Sequence, residues 1–187
     1  MKSWFWILGI VILQGCATTT TYDPSSRWYH PPVGSVVQLH EDLVIVPRHT
    51  RVYLQDGEVW GYSQVDMVYP FCNFEVRERK PTQAQTIKAD HFTITRVEEG
   101  SVLVVEREPV QLASAEMRNR FRHWIIWKDG PRGINRFRHH WLGSDSQHNV
   151  MRLTCYGGKS EESEAQLPTL EEIRQVLGNK VTIHLTP

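Results

Sequence analysis

Residues 92–106 read FTITRVEEGSVLVVE and have the character of strands. Phe92, Ile94 and Val97 are apolar residues among polar neighbours, which is typical of a strand with one buried face. A second run, rich in valine, follows Gly100. Because glycine often marks a turn between two such runs, the stretch predicts a β-hairpin that bends at Glu99-Gly100.

Further short strands are predicted on both sides of this hairpin, from the same alternation and from runs of β-branched residues. They are expected at 36–39, 43–46, 51–55, 65–69, 72–76, 150–155 and 181–185. Asp56-Gly57 follows the third of them and is a favoured two-residue turn, so it predicts a second hairpin.

One helix is predicted near the end of the chain. Thr169 precedes LEEIRQVL, and Glu172 stands three residues after it, which is the pattern of a capping box. The apolar residues of the segment fall on one helical face, namely Leu170, Ile173, Val176 and Leu177. Gly178 is placed to end the helix.

The whole pattern has about eight strands and one late helix, without alternation of strands and helices. It predicts a mainly β fold, an antiparallel sandwich or small barrel with one C-terminal α-helix packed on it. Residues 34–187 are long enough to form a single domain with a substantial core.

The chain begins with MKSWFWILGIVILQGC, a basic start followed by a mainly apolar run from Trp4 to Leu13. A helix that crosses a bilayer needs about 20 apolar residues, so this run is too short to span. Its length suits the hydrophobic core of an export signal. The end of the segment, Leu13-Gln14-Gly15-Cys16, resembles the lipobox of bacterial lipoproteins.

This resemblance covers residues 1–16 only. It implies that residues 1–15 are removed as a signal peptide and that the thiolate of Cys16 accepts a diacylglyceryl group. A further acyl chain on the freed amine would make the anchor firm, since each buried methylene contributes about 0.8 kcal/mol. Ala17 after the cysteine implies an outer-membrane anchor, with the domain facing the periplasm.

Residues 16–33 are predicted to be the lipidated cysteine and a flexible tether, because the segment is rich in Thr, Ser and Pro. Trp28 and Tyr29 interrupt this composition with two aromatic side chains. The sequence leaves open whether they dock on the domain or lie at the lipid interface.

Two further cysteines, Cys72 and Cys155, follow in the predicted domain. In an oxidising compartment such a pair favours a disulfide. The bridge would stabilise the fold by about 4–5 kcal/mol on the chain-entropy model. Two buried thiols or a weak two-cysteine metal site are the alternatives.

A basic aromatic hairpin is predicted at about 118–141, RNRFRHWIIWKDGPRGINRFRHHW. The segment carries a net charge of +6, whereas the other residues of the mature chain sum to −7. Its two flanks, 120–124 and 136–141, have similar sequences and are expected to lie side by side around the turn-forming KDGPRG.

Arginine suits phosphate and carboxylate groups, and tryptophan suits a lipid interface or the face of a sugar. The candidate ligand-binding residues are Arg120, Arg122, Trp124, Arg136, Arg138 and Trp141. Their expected partner is an anionic lipid, a glycan or an envelope protein. The alternative is structural: the arginines pair with the domain's own glutamates, and the aromatic side chains belong to the core.

No catalytic motif and no phosphate-binding glycine loop is found. The histidines lack the spacing of a metal site, and His139 and His140 would face opposite sides of a strand. A net charge of zero argues against nucleic acid as a partner. The sequence therefore predicts a non-enzymatic envelope lipoprotein, without a cofactor, that binds or scaffolds an envelope component. A periplasmic hydrolase or metal-handling lipoprotein is the alternative.

Overall fold

The computed structural model describes residue 23, residues 25–105 and residues 132–186. In these ranges the chain forms ten strands, the α-helix α1 (Leu170–Leu177) and a short 3-10 helix (Tyr62–Gln64). The strands are β1 Val36–Leu39, β2 Leu43–Ile45, β3 Arg51–Gln55, β4 Glu58–Trp60, β5 Phe71–Val76, β6 Gln85–Ile87, β7 Asp90–Val105, β8 Arg132–Gly143, β9 Val150–Ser160 and β10 Val181–His184.

Eight strands form one antiparallel sheet in the order β10-β1-β7-β8-β9-β5-β3-β4, and β2 pairs separately with β6. The large sheet curls into a half-barrel with the core on its inner face. The predicted fold class, mainly β and antiparallel with one C-terminal helix packed on the sheet, is confirmed.

The helix closes the inner face of the half-barrel. It contacts β10 at one end of the strand order and β3 and β5 near the other. The predicted turn at Asp56-Gly57, where both residues have positive φ, joins β3 to β4. The amide of Gly57 donates to the carbonyl of Val176 at 2.9 Å, so this turn also fixes the helix to the sheet.

The predicted boundaries of the helix are confirmed. The amide of Glu172 donates to Thr169 Oγ1 at 3.1 Å, and the amide of Thr169 donates to Glu172 Oε2 at 2.7 Å. The amide of Gly178 donates to the carbonyl of Arg174 at the other end. This reciprocal cap satisfies two amides near the start of the helix, so the local sequence is sufficient to begin it there.

A disulfide joins Cys72 to Cys155, as predicted. The two cysteines lie directly opposite each other on β5 and β9, with their Cα atoms 4.1 Å apart. Both side chains are buried in the core. The bridge spans 83 positions in the sequence and holds two neighbouring strands of the sheet together.

The hairpin predicted at Glu99-Gly100 is wrong, because β7 runs without a turn from Asp90 to Val105. Gly100 lies opposite Phe137 of β8. A Cβ atom on Gly100 would lie 2.6 Å from the ring of Phe137. This glycine therefore admits the close approach of an aromatic ring inside a strand, a second common use of glycine in sheets.

The strand predicted at 65–69 is also wrong, because the segment is irregular. The side-chain amide of Gln55 binds its backbone: Nε2 donates to the carbonyl of Asp66 at 2.8 Å, and Oε1 accepts from the amide of Asp66 at 3.0 Å. Val65 joins a small apolar cluster with Tyr53 and Phe71. Tertiary contacts therefore override the local alternation.

Candidate functional site

The structure describes three of the predicted ligand-binding residues, and all three lie on β8: Arg136, Arg138 and Trp141. The others, Arg120, Arg122 and Trp124, lie outside the described residues, as does the predicted lipidation site Cys16. Alternation along β8 places Arg138 on the inner face of the sheet and Trp141 on the outer face. The described candidates therefore do not form one continuous surface.

The strand that carries them, β8, lies in the middle of the strand order and not at an edge of the sheet. From Phe137 to Trp141 it pairs with β7 along one edge and with β9 along the other. Both edges of this part of the strand are therefore occupied by described strands. Residues 118–131 of the predicted hairpin lie outside the described residues.

Arg138 has a fully buried side chain, which is rare for an arginine. Its guanidinium pairs with the carboxylate of Glu99 at 2.6 Å. It also donates to the carbonyls of Tyr29 and Arg27 at 2.8 and 3.0 Å. These contacts engage the guanidinium inside the domain and support the structural alternative for this residue.

Trp141 is held between two arginines on the outer face. The guanidinium carbons of Arg96 and Arg152 lie 4.3 and 5.3 Å from the centroid of its ring. Its indole N–H donates to Glu98 Oε2 at 2.8 Å. Because the ring lies next to two guanidinium groups and the indole N–H bonds to a carboxylate, Trp141 interacts with the domain itself.

A row of side chains crosses the outer face over five neighbouring strands. In the order β3, β5, β9, β8 and β7 it consists of Arg51, Glu75, Arg152, Trp141 and Arg96. The carboxylate of Glu75 accepts from Arg51 at 3.0 Å and from Arg152 at 2.7 Å. The cations of this row therefore pair with carboxylates of the domain itself.

His139 and His140 lie on opposite faces of the sheet, as predicted for neighbours in a strand. Burial, followed by the charge of Arg152, lowers the pKa of His139 to about 4. Complete burial, followed by the charge of Arg138, lowers the pKa of His140 to about 3. Both imidazoles are therefore neutral at pH 7.

The segment around Tyr29 docks on the domain, although 16–33 was expected to be a flexible tether. Besides the two backbone contacts to Arg138, the Arg27 side chain donates to the carbonyl of Leu167 at 2.9 Å. Tyr29 packs against the core, whereas Trp28 is 79% exposed. Of the two alternatives that the sequence leaves open, docking on the domain is therefore observed for Tyr29, whereas Trp28 is solvent-accessible.

Trp28 and Arg136 line the same surface pocket, which has a volume of about 310 Å³. The other lining residues are Arg27, Ala165, Gln166 and Leu167. Arg136 is exposed and makes no ion pair with a described residue. This surface, the Trp28–Arg136 pocket, is where an exposed indole and an unpaired guanidinium of the described chain come together.

The sequence indicates Arg136 as a ligand-binding residue and Trp28 as a residue of the domain surface or the lipid interface, but it does not predict that the two lie together. The contacts that bring them together are distant along the chain, for example 111 positions between Arg138 and Arg27. The only local signal was an aromatic pair in a segment otherwise rich in Thr, Ser and Pro. The aromatic pair indicates that the segment makes a contact at this point, but it does not identify the surface of the domain that is contacted.

Among the residues that the structure describes, no three His, Cys, Asp or Glu side chains are grouped so that they could hold a metal ion. In the same ranges, no helix has the length and apolar character needed to cross a membrane.

Comparison of the chain with protein-family models, with curated proteins and with solved structures gives no match.

Proposed function

We propose that this chain is a non-enzymatic lipoprotein of the cell envelope, anchored through lipid on Cys16, whose Trp28–Arg136 pocket faces the membrane and binds anionic lipid headgroups. The observation that carries the proposal is the position of this pocket. Trp28 is exposed and lies only three residues after Ser25, where the continuous described chain begins, and Arg136 has no ion pair with a described residue.

The length of the connection supports this placement. Cys16 and Ser25, the start of the continuous described chain, are nine positions apart. Because an extended chain covers at most ~3.6 Å per residue, these two residues can be no more than roughly 32 Å apart. A surface tethered so closely to its anchor meets the membrane at a high effective concentration.

The chemistry of the pocket suits a lipid headgroup. An indole prefers the region between hydrocarbon and water, and a guanidinium binds phosphate through paired hydrogen bonds. Three further predicted ligands, Arg120, Arg122 and Trp124, belong to the connection that leads into β8 and hence to Arg136. They are the same two kinds of side chain, and they lie outside the described residues.

Three acidic residues oppose this interaction. Glu161, Glu162 and Glu164 are exposed and stand just before Ala165 of the pocket. Their charge repels an anionic surface, so the proposal requires that direct contacts of Trp28 and Arg136 outweigh this repulsion. Neutralising the three glutamates should then strengthen binding.

The test uses the unlipidated mature chain and vesicles of phosphatidylcholine with or without phosphatidylglycerol. The double change Trp28→Ser and Arg136→Ser should weaken binding to the anionic vesicles. Loss of one arginine near an anionic surface removes ~1 kcal/mol, which is about fivefold in affinity, and loss of the indole adds to it. Added salt should weaken wild-type binding, since the charges are screened. Co-sedimentation with the vesicles measures both effects.

The matched control is Tyr69→Ser with Arg79→Ser, which removes an exposed aromatic residue and one cation elsewhere on the surface. It should bind like the wild type, whereas Glu161→Gln, Glu162→Gln and Glu164→Gln together should bind more tightly. Equal weakening by the two double variants, or no preference for anionic vesicles, would reject the headgroup as ligand. Retained binding to isolated cell-wall glycan would then identify a glycan instead.

A further inference from the structure

A second pocket, of about 480 Å³, lies at the end of β8 opposite to Arg136. It is bounded by β7, by the loop 144–149 between β8 and β9, and by the residue that follows β5. Its polar lining consists of Arg77, His91, Thr93, Ser144, Asp145 and His148. We call it the Arg77 pocket.

One side of the loop 144–149 is fixed by the carboxylate of Asp90. This group accepts hydrogen bonds from Ser144 Oγ at 3.1 Å, from Gln147 Nε2 at 3.0 Å and from the hydroxyl of Ser146. The bonds from Gln147 and Ser146 lower the pKa of Asp90 to about 2, so the carboxylate stays ionised at neutral pH. The carboxylate of Asp90 therefore holds the loop that forms one side of the pocket.

The other side of the loop is fixed by the backbone after β5. The amide of Arg77 donates to the carbonyl of Asn149 at 2.9 Å, and Arg77 Nε donates to the carbonyl of His148 at 3.2 Å. The amide of Glu78 donates to Asn149 Oδ1 at 3.1 Å. With both sides bonded, the pocket is formed before any ligand arrives, as is usual for small-molecule sites.

The groups that remain available in the pocket are mainly donors. Nε of Arg77 donates to the loop that forms the wall of the pocket. The two terminal nitrogens of Arg77 have no partner among the described residues. The imidazoles of His91 and His148 add ring N–H groups. Asp145 is the one carboxylate among the described residues that line the pocket.

We propose that the Arg77 pocket binds a small molecule through an oxyanion, a phosphate or carboxylate group, held by the guanidinium of Arg77 and the imidazoles of His91 and His148. The two terminal nitrogens of an arginine match the spacing of two oxygens on such a group. Leu142 and Val150, whose side chains are buried in the core, complete the lining. A volume of about 480 Å³ suits one small ligand.

The test titrates the unlipidated mature chain with inorganic phosphate and, separately, with acetate, while sodium chloride keeps the ionic strength constant. Either anion should bind at one saturable site and raise the melting temperature, because a ligand that binds only the folded state stabilises it. The double change His91→Ala and His148→Ala should weaken binding about tenfold, as should Arg77→Gln. Calorimetry and thermal unfolding report the two effects.

The histidine variant tests the site without dismantling it, because the wall uses only the backbone of His91 and His148. The matched controls Arg79→Gln and His49→Ala remove exposed side chains outside the pocket and should bind like the wild type. Absence of saturable binding for both anions, or equal binding by pocket and control variants, would overturn the proposal. Phosphate and acetate compared at equal concentration identify the preferred oxyanion.

This site is independent of the Trp28–Arg136 pocket. The Arg77→Gln variant should bind anionic vesicles as the wild type does, and Trp28→Ser with Arg136→Ser should bind the small anion normally. The failure of one proposal therefore leaves the other intact.

Discussion

Arg136 and Arg138 show how the same side chain acquires two roles within one strand. Arg138 is covered by the segment that contains Arg27 and Tyr29 and pairs with Glu99. Arg136 remains exposed at the edge of a pocket. The sequence around both residues is equally basic, so only the contacts of the folded chain distinguish the structural cation from the candidate ligand.

This contrast predicts different effects of the same substitution. Arg138→Met should lower the free energy of unfolding by about 2–3 kcal/mol, because two backbone carbonyls and one carboxylate lose a charged donor. The cost stays moderate because the carboxylate of Glu99 is 39% exposed and can be hydrated. Arg136→Met should change the free energy by less than about 0.5 kcal/mol. Urea unfolding of both variants measures the difference, and equal losses would contradict the assignment.

A contact between individual residues is predictable from the sequence where few partners are possible. Cys72 and Cys155 were paired correctly, since they are the only cysteines after Cys16. The hydrogen-bond acceptors of Arg138 are not predictable from the sequence in the same way. Its acceptors are 39 to 111 positions away, and two of them are backbone carbonyls that any residue could supply.

At the scale of elements, the correct predictions are those with a local cause. The capping box at Thr169 and the turn at Asp56-Gly57 are determined by a few consecutive residues. The wrong predictions have a distant cause. Gly100 accommodates the ring of Phe137 on the next strand. The side chain of Gln55 holds the backbone of 65–69 by hydrogen bonds.

The role of Gly100 can be tested by adding one methyl group. In an ordinary strand, alanine in place of glycine stabilises by roughly 0.5–1 kcal/mol. Here Gly100→Ala should destabilise by about 1–3 kcal/mol, because the new Cβ meets the ring of Phe137. The double change Gly100→Ala and Phe137→Leu should be less destabilised than the sum of the single changes. A stabilising Gly100→Ala, measured by urea unfolding, would contradict this account of β7.

At the scale of the whole molecule, the strand order was not predictable. β1 pairs with β10 and with β7, so the first strand lies between elements from the end and the middle of the chain. Local periodicity identifies strands but carries no information on which strands meet. The fold class followed from the kinds of element, whereas both candidate pockets depend on contacts between distant segments.

The two pockets lie toward opposite ends of β8. The Trp28–Arg136 pocket is next to the segment that leads back to Cys16, and the Arg77 pocket is next to the loop after Gly143. If lipid on Cys16 holds the first pocket near the membrane, the sheet places the second pocket farther along the domain. This arrangement would separate membrane contact from small-molecule binding.

Acyl labelling in cells tests the proposed attachment of this domain to a membrane through Cys16. Wild type and Cys16→Ser are expressed with labelled palmitate, and the protein is isolated from the envelope. We expect label on the wild type, none on Cys16→Ser, and retention of the signal segment in the variant, because no other side chain replaces the thiolate as acyl acceptor. Palmitate label on the Cys16→Ser protein would show that Cys16 is not the site of lipid attachment.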